Sequence, residues 1–135
     1  MKKFIIFCLF ISLMISGCSL GPSKSYNDSN NIIGNPIILG NLEIAQYDFP
    51  EEMNWGDAKK ACESLGDGWR LPTKGELNTL YEDRDKIGGF SLSSEYWSST
   101  QLNFFTGAWI QEFNNGLQFN VDKSDTFYVR AVRTI

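Results

Sequence analysis

The chain has 135 residues, 42% hydrophobic, 21% charged and 14% aromatic, with 12 Gly, 4 Pro and a formal charge of −4. This composition excludes collagen, long coiled coil and wholesale disorder, and the length suits one hydrophobic core rather than two. Histidine is absent, so no Ser/His or Cys/His nucleophile pair and no His-ligated zinc can be built, which removes most hydrolase templates.

Met1, Lys2 and Lys3 precede an apolar run over residues 4–15 that is broken only by Cys8 and Ser12. This is the layout of a secretory signal peptide, and the run is shorter than the roughly 20 apolar residues a spanning helix needs. It ends in Ile15-Ser16-Gly17-Cys18, which resembles the lipobox of bacterial lipoproteins. The resemblance implies a signal peptide over residues 1–17, cleavage before Cys18, and acylation of the Cys18 thiol. Each acyl methylene buried in a membrane contributes about 0.8 kcal/mol, so two or three chains would hold the protein firmly.

Loss of Lys2 and Lys3 would lower the basic count from 12 to 10 against 16 acidic residues, a formal charge of −6. Nucleic acid is then an unsuitable partner, because phosphate binding needs a clustered basic face and the longest cationic run after the signal is Lys59-Lys60. With Cys8 removed and Cys18 acylated, Cys62 stands alone and no intrachain disulfide forms. A small buried residue at helical spacing is the preferred reading of Cys62 over a reactive thiol.

Residues 19–36 are rich in Ser and Asn and show no apolar period. They read, with Cys18, as a lipidated flexible tether over 18–36, whose reach is on the order of 20–25 Å. The folded part is expected over 37–135. It opens with a strand through Leu42 and Ile44 toward Tyr47. Asn54 is a good N-cap, and Trp55, Ala58, Cys62 and Leu65 share one face, which predicts a helix over 55–65 stopped by Gly66 and Gly68. Thr73 and Glu76 form a capping box ahead of Leu77, Leu80 and Tyr81, which predicts a second, short helix. Gly88-Gly89 ends the helical half.

The period then falls to two. Residues 96–100 form a strand candidate, and segments 108–113 and 117–121 flank Asn114-Asn115-Gly116, a strong hairpin signal. Residues 126–135 read as a closing strand with Phe127, Val129 and Ala131 on one face and Tyr128, Arg130, Val132 and Thr134 on the other. Two helices between an early strand and several late ones predict an α+β fold with two helices packed on a mainly antiparallel sheet, the first strand paired with the last.

An ordered set of landmarks carries a resemblance to a known family: Trp55-x-Asp57-Ala58-x-x-x-Cys62, Gly68-Trp69-Arg70-Leu71-Pro72-Thr73-x-x-Glu76-Leu77, Gly88-Gly89-Phe90, Tyr96-Trp97-Ser98-Ser99-Thr100, Ala108-Trp109 and Val129-Arg130-Ala131-Val132-Arg133. From about residue 42 to 135 the chain resembles the Lcl C-terminal domain family, named after the last domain of a collagen-like bacterial adhesin. The Trp69 to Glu76 segment also resembles formylglycine-generating enzymes and, more distantly, C-type lectin-like domains. The resemblance implies a C-type lectin-like fold and an envelope or extracellular module that binds carbohydrate, including sulfated polysaccharides. The chain departs from these families in lacking a collagen-like region, the oxidase cysteine pair, and the calcium-ligand triplet and disulfides of calcium-dependent lectins. Enzymatic activity, a cofactor and a metal are therefore not expected. Asp83-x-Asp85-x-Ile87-Gly88 also fails as a calcium loop, since Ile87 and Ser94 occupy ligand positions.

Arg70 and Glu76 read as an architectural ion pair, and Trp55 and Trp69 as core. Trp97 and Trp109 lie among polar residues, and a flat ring beside amides and carboxylates suits a sugar. The expected ligand-binding set is Glu95, Trp97, Ser99, Trp109, Gln111 and Asn114, with family core residues as the competing reading of both rings. The sequence thus points to a non-catalytic recognition module, lipid-anchored in the bacterial cell envelope, at the outer membrane. Its partner would be a glycan or other envelope polymer, or, as the alternative, an envelope protein that it serves as an interaction or accessory subunit.

Overall fold

The computed structural model describes residues 29–103 and 106–135. Cys18, the signal peptide and most of the expected tether lie outside the described residues. The fold begins earlier than the expected boundary at residue 37. Ser29–Ile33 forms a short helix, α1. Ile32 is buried in the core, and the carbonyls of Ile32 and Ile33 accept hydrogen bonds from Tyr47 and Gln46 at 3.2 and 2.9 Å. Residues 29–36 are therefore part of the domain, held by an apolar anchor that a window dominated by Ser and Asn conceals.

The expected first strand is a hairpin, β1 (Ile37–Leu39) and β2 (Leu42–Ile44), turning at Gly40-Asn41. β2 also pairs antiparallel with the last strand, β6 (Val132–Thr134), giving the order β1-β2-β6. The second sheet is β3 (Glu95–Gln101), β4 (Gly107–Glu112) and β5 (Gln118–Asp122), antiparallel in sequence order. The Asn-Gly turn joins β4 to β5, with Gly116 at φ +78°.

Between the sheets' strands lie α2 (Trp55–Ser64), α3 (Lys74–Glu82) and the single turn α4 (Arg84–Ile87). The Asn54 side chain caps α2 by accepting from Asp57 N at 2.9 Å. In α3 Thr73 Oγ1 accepts from Glu76 N at 3.2 Å while Glu76 Oε2 accepts from Thr73 N at 2.8 Å, the reciprocal box expected from the sequence. Such a cap contributes about 1 kcal/mol. α2 buries Trp55, Ala58 and Cys62 against Trp97, Ala108 and Ile110. α3 buries Leu77 and Leu80 against Tyr96, Phe113 and Val132. Each fully buried leucine contributes roughly 1.5–3 kcal/mol.

The segment expected as one long closing strand is narrower. Residues 127–131 thread between two neighbours, with Phe127 exchanging hydrogen bonds with Met53 and the Val129 and Ala131 carbonyls accepting from Phe49 and Ala45. On the other side Tyr128 N donates to Glu95 O at 3.0 Å and Trp97 N donates to Tyr128 O at 3.1 Å. Residues 129–132 are all buried, including Arg130 at 0% exposure. Its Nε donates to Asp48 Oδ1 at 2.6 Å, Nη1 to Ala45 O at 3.2 Å, and the guanidinium lies 4.1 Å from the Phe90 ring centroid. Tyr96 Oη donates to Asp48 Oδ2 at 2.6 Å. This buried triad ties the chain's early, middle and late segments together, since an unpaired charge there would be far costlier than the pair.

Candidate functional site

Cross-strand partners share a face of a sheet while successive residues alternate. Trp97 pairs with Ile110, so it lies on the face opposite Trp109 and Gln111. Trp97 is fully buried, donates Nε1 to Met53 O at 2.7 Å, and meets Phe127 edge-on at 4.9 Å. This corrects the expectation that both rings line a ligand face: Trp97 is core, because the strand's alternation turns it toward α2.

The remaining expected residues are also separated. Glu95 opens β3 opposite Glu112, partly exposed. Ser99 donates its backbone N to Pro72 O at 2.7 Å. Asn114 is exposed in the β4–β5 turn. Trp109 and Gln111 alone share the α3 side of the sheet. Gln111 is fully buried, so its amide serves the scaffold.

That scaffold is an amide ladder. Gln111 Nε2 donates to Asn78 Oδ1 at 2.9 Å and Gly116 O at 3.0 Å. Gln118 Nε2 donates to Lys74 O at 2.9 Å and Gln111 Oε1 at 3.2 Å. Lys74 N in turn donates to Thr100 Oγ1 at 2.9 Å, which fixes the start of α3 over β3. The result places Lys74 Nζ 3.3 Å from the Trp109 ring centroid, a cation–π contact on a partly exposed ring. Asn120 is the cross-strand partner of Trp109 on the same face. Gly107 leaves room for it, because a Cβ there would collide with the Asn120 amide.

Lys74, Asn78, Gln118 and Asn120 were not among the expected site residues. Gln118 and Asn120 follow from the hairpin register, since residues two apart on β5 face Gln111 and Trp109. Lys74 and Asn78 come from helix packing and leave no local signal.

Away from this face, an open concavity of about 420 Å³ is lined by Glu51, Glu52, Met53, Asn54, Asp57 and neighbours at the start of α2. Beside it Trp55 carries Lys59 and Lys123 ammonium groups at 4.9 and 4.5 Å from its ring centroid.

Titratable groups elsewhere serve architecture. Arg70 binds Glu76 through two hydrogen bonds at 2.7 and 2.9 Å, which, with the Thr73 amide, hold the Glu76 carboxyl below its usual range. Burial raises the Asp48 carboxyl, opposed by Arg130. Burial likewise pushes the Cys62 thiol up, away from the reactive thiolate. Ser98 Oγ donates to Trp109 O at 2.7 Å and so spends its proton on the sheet. Among the described residues no cluster of His, Cys, Asp or Glu could hold a metal ion, and no helix is long and apolar enough to cross a membrane.

The architecture is similar to that of botrocetin, with a TM-score of 0.57 and 11% identity over 76% of this chain and 98% of that one. Botrocetin in complex with a mutant von Willebrand factor A1 domain matches over the same shares, at a TM-score of 0.54 and 12% identity. At these identities the likeness is one of fold, which is C-type lectin-like. No curated protein sequence matches the chain. The profile of the Lcl C-terminal domain matches residues 28–133, a span that takes in α1, both sheets and the Trp109 face. The chain belongs to the Lcl C-terminal domain family.

Proposed function

We propose that the domain is a non-catalytic recognition module of the bacterial cell envelope, held by acyl chains on Cys18, that binds a glycan or other envelope polymer through the Trp109 face. One observation carries the reading: a partly exposed tryptophan is braced by Lys74 above an amide ladder of Gln111, Gln118 and Asn78. Such a rigid base suits recognition, because side chains already locked by hydrogen bonds lose little freedom on binding. The inert Cys62 and the hydrogen-bonded Ser98 support a non-catalytic role. A glycan array probed with the full-length protein in detergent tests the reading. Signals that vanish in Trp109→Ala with the circular dichroism spectrum intact support it, and an array without signals refutes it. For the anchor, Cys18→Ser is expected to abolish labelled fatty-acid incorporation; equal labelling of mutant and parent would rule the anchor out.

A protein partner is the second reading. Leu117 and Phe119 are 55% and 42% exposed beside or within β5, the outer strand of its sheet. Exposed apolar groups on an unpaired edge favour protein contact. Capture of an envelope protein by the parent but not by a Leu117→Ser, Phe119→Ser variant would select this reading.

A further inference from the structure

We infer that the edge strand β5 pairs antiparallel with β5 of a second copy of this chain, with Phe119 on the two-fold axis. The inference names the partner at the β5 edge and so rests on the protein-contact reading of that edge given above.

Ladder parity fixes which main-chain groups point outward. Glu112 N donates to Leu117 O at 2.9 Å and Lys123 N donates to Thr106 O at 2.8 Å. Leu117 and Lys123, and the alternate residues Phe119 and Val121 between them, therefore turn their main-chain groups toward β4. Gln118 and Asn120 turn theirs the other way. On that side no strand follows in the order β3-β4-β5, and no main-chain partner meets them among the described residues. Edge strands are ordinarily guarded by charge, Pro or a bulge. Residues 117–121 read Leu-Gln-Phe-Asn-Val, with no charge and no Pro, and β5 pairs with β4 without a register shift.

The pattern selects a second copy as the partner. It alternates apolar and amide residues symmetrically about Phe119. Of the registers that the parity allows, Gln118 opposite Asn120 of the copy matches every position: Phe119 meets itself, Leu117 meets Val121, and amide meets amide. Centring on Asn120 instead would set Leu117 opposite Lys123, and centring on Gln118 would set Val121 opposite Asn115. Phe119 then occupies a non-hydrogen-bonded position, where opposed side chains are closest. Leu117 and Phe119, 55% and 42% exposed, gain cover. Charge agrees with this choice. Two chains of formal charge −4 repel, and here they meet across an uncharged window, with Asp122 and Lys123 opposite Gly116 and Asn115 of the copy. A single edge pairing buries less than a standard interface, so the dimer is a weak one. Opposed residues project to the same side of a sheet, so the pairing also sets two Trp109 faces side by side on one continuous surface.

The test uses the full-length protein in density-matched detergent. A non-hydrogen-bonded antiparallel pair has the Cα spacing that a disulfide accepts, so Phe119→Cys under mild oxidation is expected to give a covalent dimer. Val121→Cys, about 13 Å from its equivalent in this register, is expected to give none. Cys62 is 0% exposed and does not compete, and the parent under the same oxidant is the blank. By sedimentation, Phe119→Glu, which opposes two carboxylates on the axis, is expected to weaken association at least about tenfold with its circular dichroism spectrum intact. Equal cross-linking at Val121→Cys overturns the pairing, and so does parent-like association of Phe119→Glu. A parent that stays monomeric up to about 1 mM, with no Phe119→Cys dimer, also overturns it. If that monomer still captures an envelope protein that the Leu117→Ser, Phe119→Ser variant does not, the protein-contact reading stands; if it captures none, that reading falls too.

Discussion

Replacing Trp97 with alanine separates the buried ring from the binding ring. Trp97 is 0% exposed and packs edge-on against Phe127. Removing so large a buried side chain costs about 3–5 kcal/mol through lost transfer energy and the cavity left behind. The change also removes one of the two hydrogen bonds Met53 O accepts, the 2.7 Å bond from the indole, leaving Phe127 N as its donor, and that loss adds about 0.5–1.5 kcal/mol. Against a typical stability of 5–15 kcal/mol, the sum is about a quarter of the total or more. Urea unfolding at equilibrium reads it directly. With a slope of about 2 kcal/mol per molar, the midpoint is expected to fall by about 2 M or the variant to be unfolded without urea. Trp109→Ala, on a partly exposed ring, is expected to cost less than about 1.5 kcal/mol, chiefly the cation–π contact with Lys74. A Trp97→Ala protein within about 1 kcal/mol of the parent would refute the burial argument and return Trp97 to the surface.

Asp48→Asn strands the Arg130 guanidinium in the core and is expected to cost about 3 kcal/mol by chemical denaturation, partly recovered by adding Arg130→Met. Glu76, whose carboxyl titrates below its unfolded value, contributes stability that is present above about pH 4.3 and is lost as pH falls through the folded value. Because Arg70 and Glu76 remain partly exposed, that contribution is about 1 kcal/mol or less, and Glu76→Gln is expected to flatten the acid limb of a melting-temperature profile. Gly116→Ala is expected to cost about 1–3 kcal/mol in thermal unfolding, since the residue sits at φ +78° and a Cβ there would strike the Tyr81 ring.

Local signals carried furthest where the physics is local. The caps at Asn54 and Thr73 and the Asn-Gly turn each involve residues a few positions apart, and α2, α3 and the β4–β5 hairpin appear where the sequence puts them. The β1–β2 hairpin looks like a single strand in the sequence because its arms are three residues long and show no full period. Residues 127–131 alternate like a two-faced strand, yet both faces are buried because the segment threads between residues 45–53 and β3. The same non-locality governs the site. The polar neighbours of Trp97 in sequence are not its neighbours in space, while Lys74, 35 positions before Trp109, covers that ring through helix packing. A composition window can identify a tryptophan with polar flanks, and the register decides which side of the sheet it faces.

The central claim, that the Trp109 face is the recognition surface, is tested most directly by intrinsic fluorescence during titration with a glycan selected on the array. The titration compares the full-length parent with its Trp109→Phe variant. The account predicts a saturable change in the parent that disappears in Trp109→Phe while the signals of the buried Trp55, Trp69 and Trp97 stay constant. An undiminished saturable change in Trp109→Phe, at the same midpoint, would contradict it.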